Sequence, residues 1–154
     1  MKLKNSSKES FELRIIQYEF PNINNEKYDA NWLLIEIEVS DQYGQWVVKD
    51  PCLLTFDIQN LGNWLLSIAA GEEVISKFQF MEPELEFHLI RPIEEEYILR
   101  IYMRHNLKPQ WKSSRGREAE DFWLDFPVDS LVLQRLANSL HQQLMEYPPR
   151  VTDQ

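Results

Sequence analysis

With 154 residues and 44% hydrophobic side chains, including 5 Trp, 6 Tyr and 8 Phe, the chain can bury a core without metal or disulfide support and is not disordered. Its 25 acidic residues against 16 basic ones give a net charge of −9, which argues against general binding of nucleic acid or an anionic membrane surface. Cys52 is the single cysteine, so no intrachain disulfide can form and the composition suits a reducing cytoplasm. No run approaches the roughly 18 apolar residues of a membrane span, and Met1 to Lys8 carries charge with no apolar stretch behind it, unlike a secretory leader.

In chain order, Ser10 to Phe20 predicts a first strand whose apolar parity changes near Ile15, as a bulge or bend requires. Pro21 to Ala30 is a polar loop. In Trp32 to Val39, Leu33, Ile35, Ile37 and Val39 alternate with Trp32, Leu34, Glu36 and Glu38, the period of a half-buried strand. Asp41-Gln42-Tyr43-Gly44 supplies turn chemistry, and Gln45 to Lys49 returns as the hairpin partner that Asp50-Pro51 ends. Cys52 to Phe56 reads as a short strand or an approach to a helix.

Asp57 is the expected N-cap of a helix over residues 58–70, with Ile58, Leu61, Leu65 and Ile68 on one stripe and Gly71 closing it. Gly62 weakens that helix by about 1 kcal/mol relative to Ala, so tertiary packing must hold it. Val74 to Phe80 alternates weakly before a Met81-Glu82-Pro83 turn. Leu85, Phe87 and Leu89 then form one strand face, with Glu84, Glu86 and His88 on the other. Glu94-Glu95-Glu96 opens a strand running to Arg104, and Lys108 to Glu120 is the expected mobile loop. Phe122, Leu124 and Phe126 give a last strand that Pro127 stops. Asp129 caps a final helix with the stripe Leu133, Leu136, Leu140, Leu144 and Tyr147. The expected fold is α+β: an antiparallel sheet or sandwich of about 6–7 strands with one mid-chain and one C-terminal helix, not a doubly wound parallel sheet. The expected organisation is a single domain over residues 1–154, ordered over about 10–149, with flexible tails at 1–9 and 150–154.

Residues 18–98 hold 16 acids and 4 bases, whereas residues 100–117 hold Arg100, Arg104, Lys108, Lys112, Arg115 and Arg117 and no acid. The acid excess serves solubility, or it marks a recognition surface for a basic partner. Chemistry is hard to find. His88, His105 and His141 lie too far apart for a local zinc motif, and Cys52 lacks a CxxC partner. No nucleophile elbow, phosphate loop, dinucleotide fingerprint or calcium loop occurs. The pairs Glu36/Glu38 and Glu84/Glu86 each share a strand face, without the fixed cleft separation a glycosidase needs. No catalytic, cofactor or metal residue is expected, and the chain is read as a binding protein rather than an enzyme.

The landmarks Tyr28-Asp29-Ala30-Asn31-Trp32-Leu33, Trp46 with Asp50-Pro51-Cys52-Leu53-Leu54, and Leu61 with Trp64-Leu65 and Gly71 occur in order. They continue through Phe80-Met81-Glu82-Pro83-Glu84-Leu85-Glu86-Phe87, Leu99-Arg100-Ile101-Tyr102, Pro109 with Trp111, and Trp123-Leu124-Asp125-Phe126-Pro127. Over roughly residues 11–149 this series resembles the WapI family, immunity proteins of wall-associated polymorphic toxins in Gram-positive bacteria. The resemblance implies a cytoplasmic protein that neutralises the C-terminal domain of a contact-dependent toxin, often a nuclease. A nuclease site is basic because it holds phosphates. The candidate partner-binding residues are therefore the acids Glu36, Glu38, Glu84, Glu86, Glu94, Glu95 and Glu96, with no direct nucleic-acid or membrane contact. The alternative is a β-rich domain binding a small ligand in an aromatic-lined cavity.

Overall fold

A computed structural model describes residues 1–91, 96–109 and 122–151. Alternating apolar residues build two four-stranded antiparallel sheets. The first runs in the order β1 (Lys2–Lys4), β2 (Ser10–Tyr18), β3 (Trp32–Asp41), β4 (Gly44–Leu54). The second runs β5 (Lys77–Gln79), β6 (Leu85–Ile90), β7 (Tyr97–Met103), β8 (Phe122–Val128). Helix α1 (Thr55–Ala69) connects the sheets and α2 (Ser130–Glu146) follows the last strand. The α+β expectation therefore holds, with β1 raising the strand count to eight among the described residues.

Buried residues alternate along most of β2, β3, β6, β7 and β8, and the buried faces meet: the Phe11 and Phe87 rings contact edge to face at 6.2 Å. Both sheets and the apolar stripes of both helices share one continuous core. Each fully buried Leu, Ile or Phe in it stabilises the fold by about 1.5–3 kcal/mol. The parity change in β2 is a bulge, with the register shifting between Ile15 and Gln17.

Three boundaries differ from expectation. Strand β4 runs through Pro51 to Leu54, and β8 runs through Pro127 to Val128. Both are edge strands with the proline side chain exposed, where a missing N–H breaks no ladder bond. In β4 the proline also falls at a bulge, because Pro51 and Cys52 together oppose Leu34. Helix α1 begins at Thr55 rather than after Asp57. Asp57 acts from the third helical position, its carboxylate accepting from the Leu54 N–H at 2.9 Å. Burial pushes the Asp57 carboxyl up, and that backbone bond partly offsets it. Gly71 takes φ +74° after α1, where its own N–H reaches Ile68 O and the Glu72 N–H reaches Ser67 O.

Residues 1–9, expected as a flexible tail, include strand β1, which pairs with β2. Met1 and Leu3 are buried, the Met1 amine donates to Leu13 O, and Leu13 N returns to Met1 O. Beyond β1, α2 completes the edge of β2. The Gln143 side chain accepts from Ile15 N at 2.7 Å and donates to Leu13 O, while the Tyr147 hydroxyl donates to Ile16 O. The expected loop at 108–120 lies mostly outside the described residues, as do residues 152–154 of the expected C-terminal tail. Arg150 in that tail is held: its guanidinium donates to the carbonyls of Phe20, Pro21 and Ile23 and lies 3.4 Å over the Tyr18 ring.

Candidate functional site

The five candidate carboxylates among the described residues, Glu36, Glu38, Glu84, Glu86 and Glu96, do not converge. Glu36 and Glu38 lie on the outer face of the first sheet, where strand pairing sets Arg14 opposite Glu36 and Lys49 on its other side. Arg14 binds Glu36 and Glu38, Gln45 donates to Glu38, Lys49 lies 3.7 Å from Glu36, and Glu12 bridges Arg14 and Lys2. The Glu36 hydrogen bond, foremost, raises the Arg14 pKa. Three cations thus face three carboxylates, and this face carries little net charge.

Glu86 lies on the outer face of the second sheet and is equally engaged. His88, Gln79 and Arg104 bind it, and the Arg104 guanidinium lies 4.7 Å from the Tyr102 ring centre. Burial pushes the Glu86 carboxyl up, but the His88 and Gln79 hydrogen bonds and the Arg104 charge outweigh it and hold it below the usual carboxylate range. Beside it, Arg100 packs over Trp123 and grips both oxygens of Asp125 at 2.7 and 2.9 Å, and the Asp125 hydrogen bonds raise the Arg100 pKa. Arg100 of β7 and Arg104 just after it are thus matched by acids of the neighbouring strands β8 and β6. Glu84 is half-buried before β6, and its Oε2 has no hydrogen-bond partner among the described residues. Glu96 is exposed at the start of β7. Glu94 and Glu95 lie outside the described residues.

Burial, then the carboxylates of Asp50 and Glu84, pushes the Cys52 thiol up, so it stays protonated and poorly nucleophilic. His141 lies against Gly62 of α1, in helix packing. Among the described residues no three His, Cys, Asp or Glu side chains group as a metal site would.

A concavity of about 290 Å³ lies elsewhere, between the turn before β3, the first turns of α1, the turn before β6 and the end of the chain. Its apolar lining is Tyr28, Phe56, Met81, Pro149 and Val151, with Lys27 and Gln59 adding polar groups. Tyr28 and Phe56 contact edge to face at 6.2 Å. The floor is Asn31, 1% exposed, whose side chain joins three segments. Its Oδ1 accepts from the Thr55 hydroxyl at 2.7 Å and from Arg150 N at 2.8 Å, and its Nδ2 donates to Lys27 O at 2.6 Å. Sequence reasoning missed this site because Tyr28 sits in a polar loop and Met81 in a turn, 53 positions apart, where no periodicity marks them.

The model of the immunity protein WapI-like family matches residues 2–148 of the chain. No curated protein and no solved structure matches it.

Proposed function

The chain belongs to the immunity protein WapI-like family, and we propose that it binds and neutralises one cognate toxin domain in the cytoplasm, a basic domain that attacks nucleic acid. The observation that carries this reading is the family match, which extends over residues 2–148 and so takes in both sheets and both helices. The net charge of −9 supports the finer part. A nuclease must hold phosphates and is basic at its site, so an acidic protein is drawn to it by complementary fields.

In this reading Glu36, Glu38, Glu84, Glu86 and Glu94 to Glu96 contribute to the field that steers encounter. The close ion pairs of Glu36, Glu38 and Glu86 hold the sheet faces in shape, while the excess charge of the whole chain acts at longer range. Blocking the toxin takes a rigid complementary surface and no chemistry by the inhibitor.

The test is co-expression. The toxin C-terminal domain encoded beside this gene is produced in a bacterial host with and without the chain. Survival only in its presence, with a complex that co-purifies, is the expected result. A lethal domain that kills equally in both hosts defeats the pairing.

A further inference from the structure

We propose that the Tyr28–Phe56–Met81 concavity is the anchor point for the toxin domain, receiving an apolar side chain that the toxin presents within a basic surface. This rests on the immunity reading and adds to it the place and chemistry of contact.

Three observations carry the proposal. First, Tyr28 is 50% exposed, Met81 56% and Val151 37%, large apolar side chains that gather around one concavity. Such grouping marks a binding site, whereas scattered exposed apolar residues do not. Tyrosine and methionine are also favoured in interface cores, the first as a rigid anchor and the second as an adaptable one.

Second, the polar floor is already satisfied. Both acceptor contacts of Asn31 Oδ1 go to Thr55 and Arg150, and its Nδ2 serves Lys27 O. A specific small-molecule site presents convergent polar groups to its ligand. Here the central polar side chain is turned to the protein's own backbone and hydroxyl groups. That arrangement suits an inserted apolar side chain.

Third, the surrounding acids select the partner's charge. Glu26 and Asp29 flank Lys27 and Tyr28, and Glu82 follows Met81, so three acids adjoin the lining in sequence against the cations Lys27 and Arg150, while the Asp57 carboxylate is turned to the Leu54 N–H. Glu26 and Asp29 are exposed. On a chain of net charge −9 this rim repels a second copy of itself and attracts a basic protein. By contrast, the two sheet faces have their charges matched internally.

The anchor and the rim make separable kinetic predictions. Apolar anchors act on dissociation and rim charges on association. Binding of the toxin domain to the full chain is followed in real time for the wild type, Tyr28→Ala, Met81→Asp and the double variant Glu26→Lys/Asp29→Lys. All three altered sites are exposed, and circular dichroism confirms the fold. Tyr28→Ala and Met81→Asp are expected to raise the dissociation rate about tenfold or more, as central anchors do. The rim variant is expected to slow association several-fold at low salt and to lose that effect at high salt.

Wild-type dissociation rates in both Tyr28→Ala and Met81→Asp overturn the proposal, while the immunity reading stands if the wild type still binds and rescues. A wild type that neither binds nor rescues defeats the immunity reading itself. Two other occupants would also overturn the proposal. One is a second copy, seen as self-association that Tyr28→Ala abolishes while toxin binding persists. The other is a small molecule seen by native mass spectrometry in the wild type and absent from Tyr28→Ala.

Discussion

Replacing Gly62 by alanine tests the closest approach between the two helices. A Cβ built at Gly62 stands 2.5 Å from His141 Nε2 and 2.9 Å from its Cδ2, well inside the 3.4–4 Å of ordinary contact. Two opposing terms set the result. Alanine in place of glycine within a helix is worth about 1 kcal/mol in its favour, whereas overpacking a well-filled contact costs about 1–3 kcal/mol. Gly62→Ala is therefore expected to be neutral to about 2 kcal/mol destabilising. In a His141→Ala background the obstruction is gone and the same substitution is expected to stabilise by about 1 kcal/mol. The two sites should then couple by about 1–3 kcal/mol, or several degrees in melting temperature at this chain length. Urea unfolding of the four proteins, read by circular dichroism, measures the cycle. A coupling below about 0.5 kcal/mol, with Gly62→Ala stabilising in both backgrounds, would refute the claim that glycine is needed to admit His141.

Further predictions concern the site and the charged faces. Asn31→Ala leaves the buried Thr55 hydroxyl, Arg150 N–H and Lys27 carbonyl short of a partner, and is expected to cost about 2–4 kcal/mol by urea unfolding. The Glu86 carboxyl is held below its usual 4.5, so its contribution is complete above that pH and is lost as pH falls through the lower folded value. Glu86→Gln should therefore flatten the acid limb of a stability–pH curve measured between about pH 6 and 3. For the first sheet face, Glu36→Lys with Glu38→Lys is expected to slow toxin association at low salt while leaving dissociation unchanged; an unaltered on-rate removes that face from the encounter surface.

The strands were legible because their signal is local. Leu33, Ile35, Ile37 and Val39 are buried to the last, and the parity change near Ile15 is the bulge it implied. Asp129 caps α2 as read, accepting from Val132 N at 2.8 Å. Proline was misread twice, at Pro51 and Pro127, because whether a missing N–H interrupts a strand depends on having a neighbour on that side. Edge position is a property of the assembled sheet. The burial of Leu3 was not legible because it is a single apolar residue between two lysines, and only its pairing opposite Phe11 buries it.

Charge shows the same division. The sequence by itself determined that the chain is acidic, that Glu36 and Glu38 share one face, and that Arg100 and Arg104 share another. Those follow from composition and the two-residue period of a strand. Which charges remain uncompensated was decided only by strand pairing, which set Arg14 between Glu12, Glu36 and Glu38, and Arg100 against Asp125. The Tyr28–Phe56–Met81 concavity was likewise decided by tertiary structure. It gathers Tyr28, Phe56, Met81 and Pro149 from four separate segments, around an asparagine that ties three of them together. Periodicity reports how a residue faces within its own element. A site between segments is specified by contacts distant in sequence, and these exist only once the chain has folded.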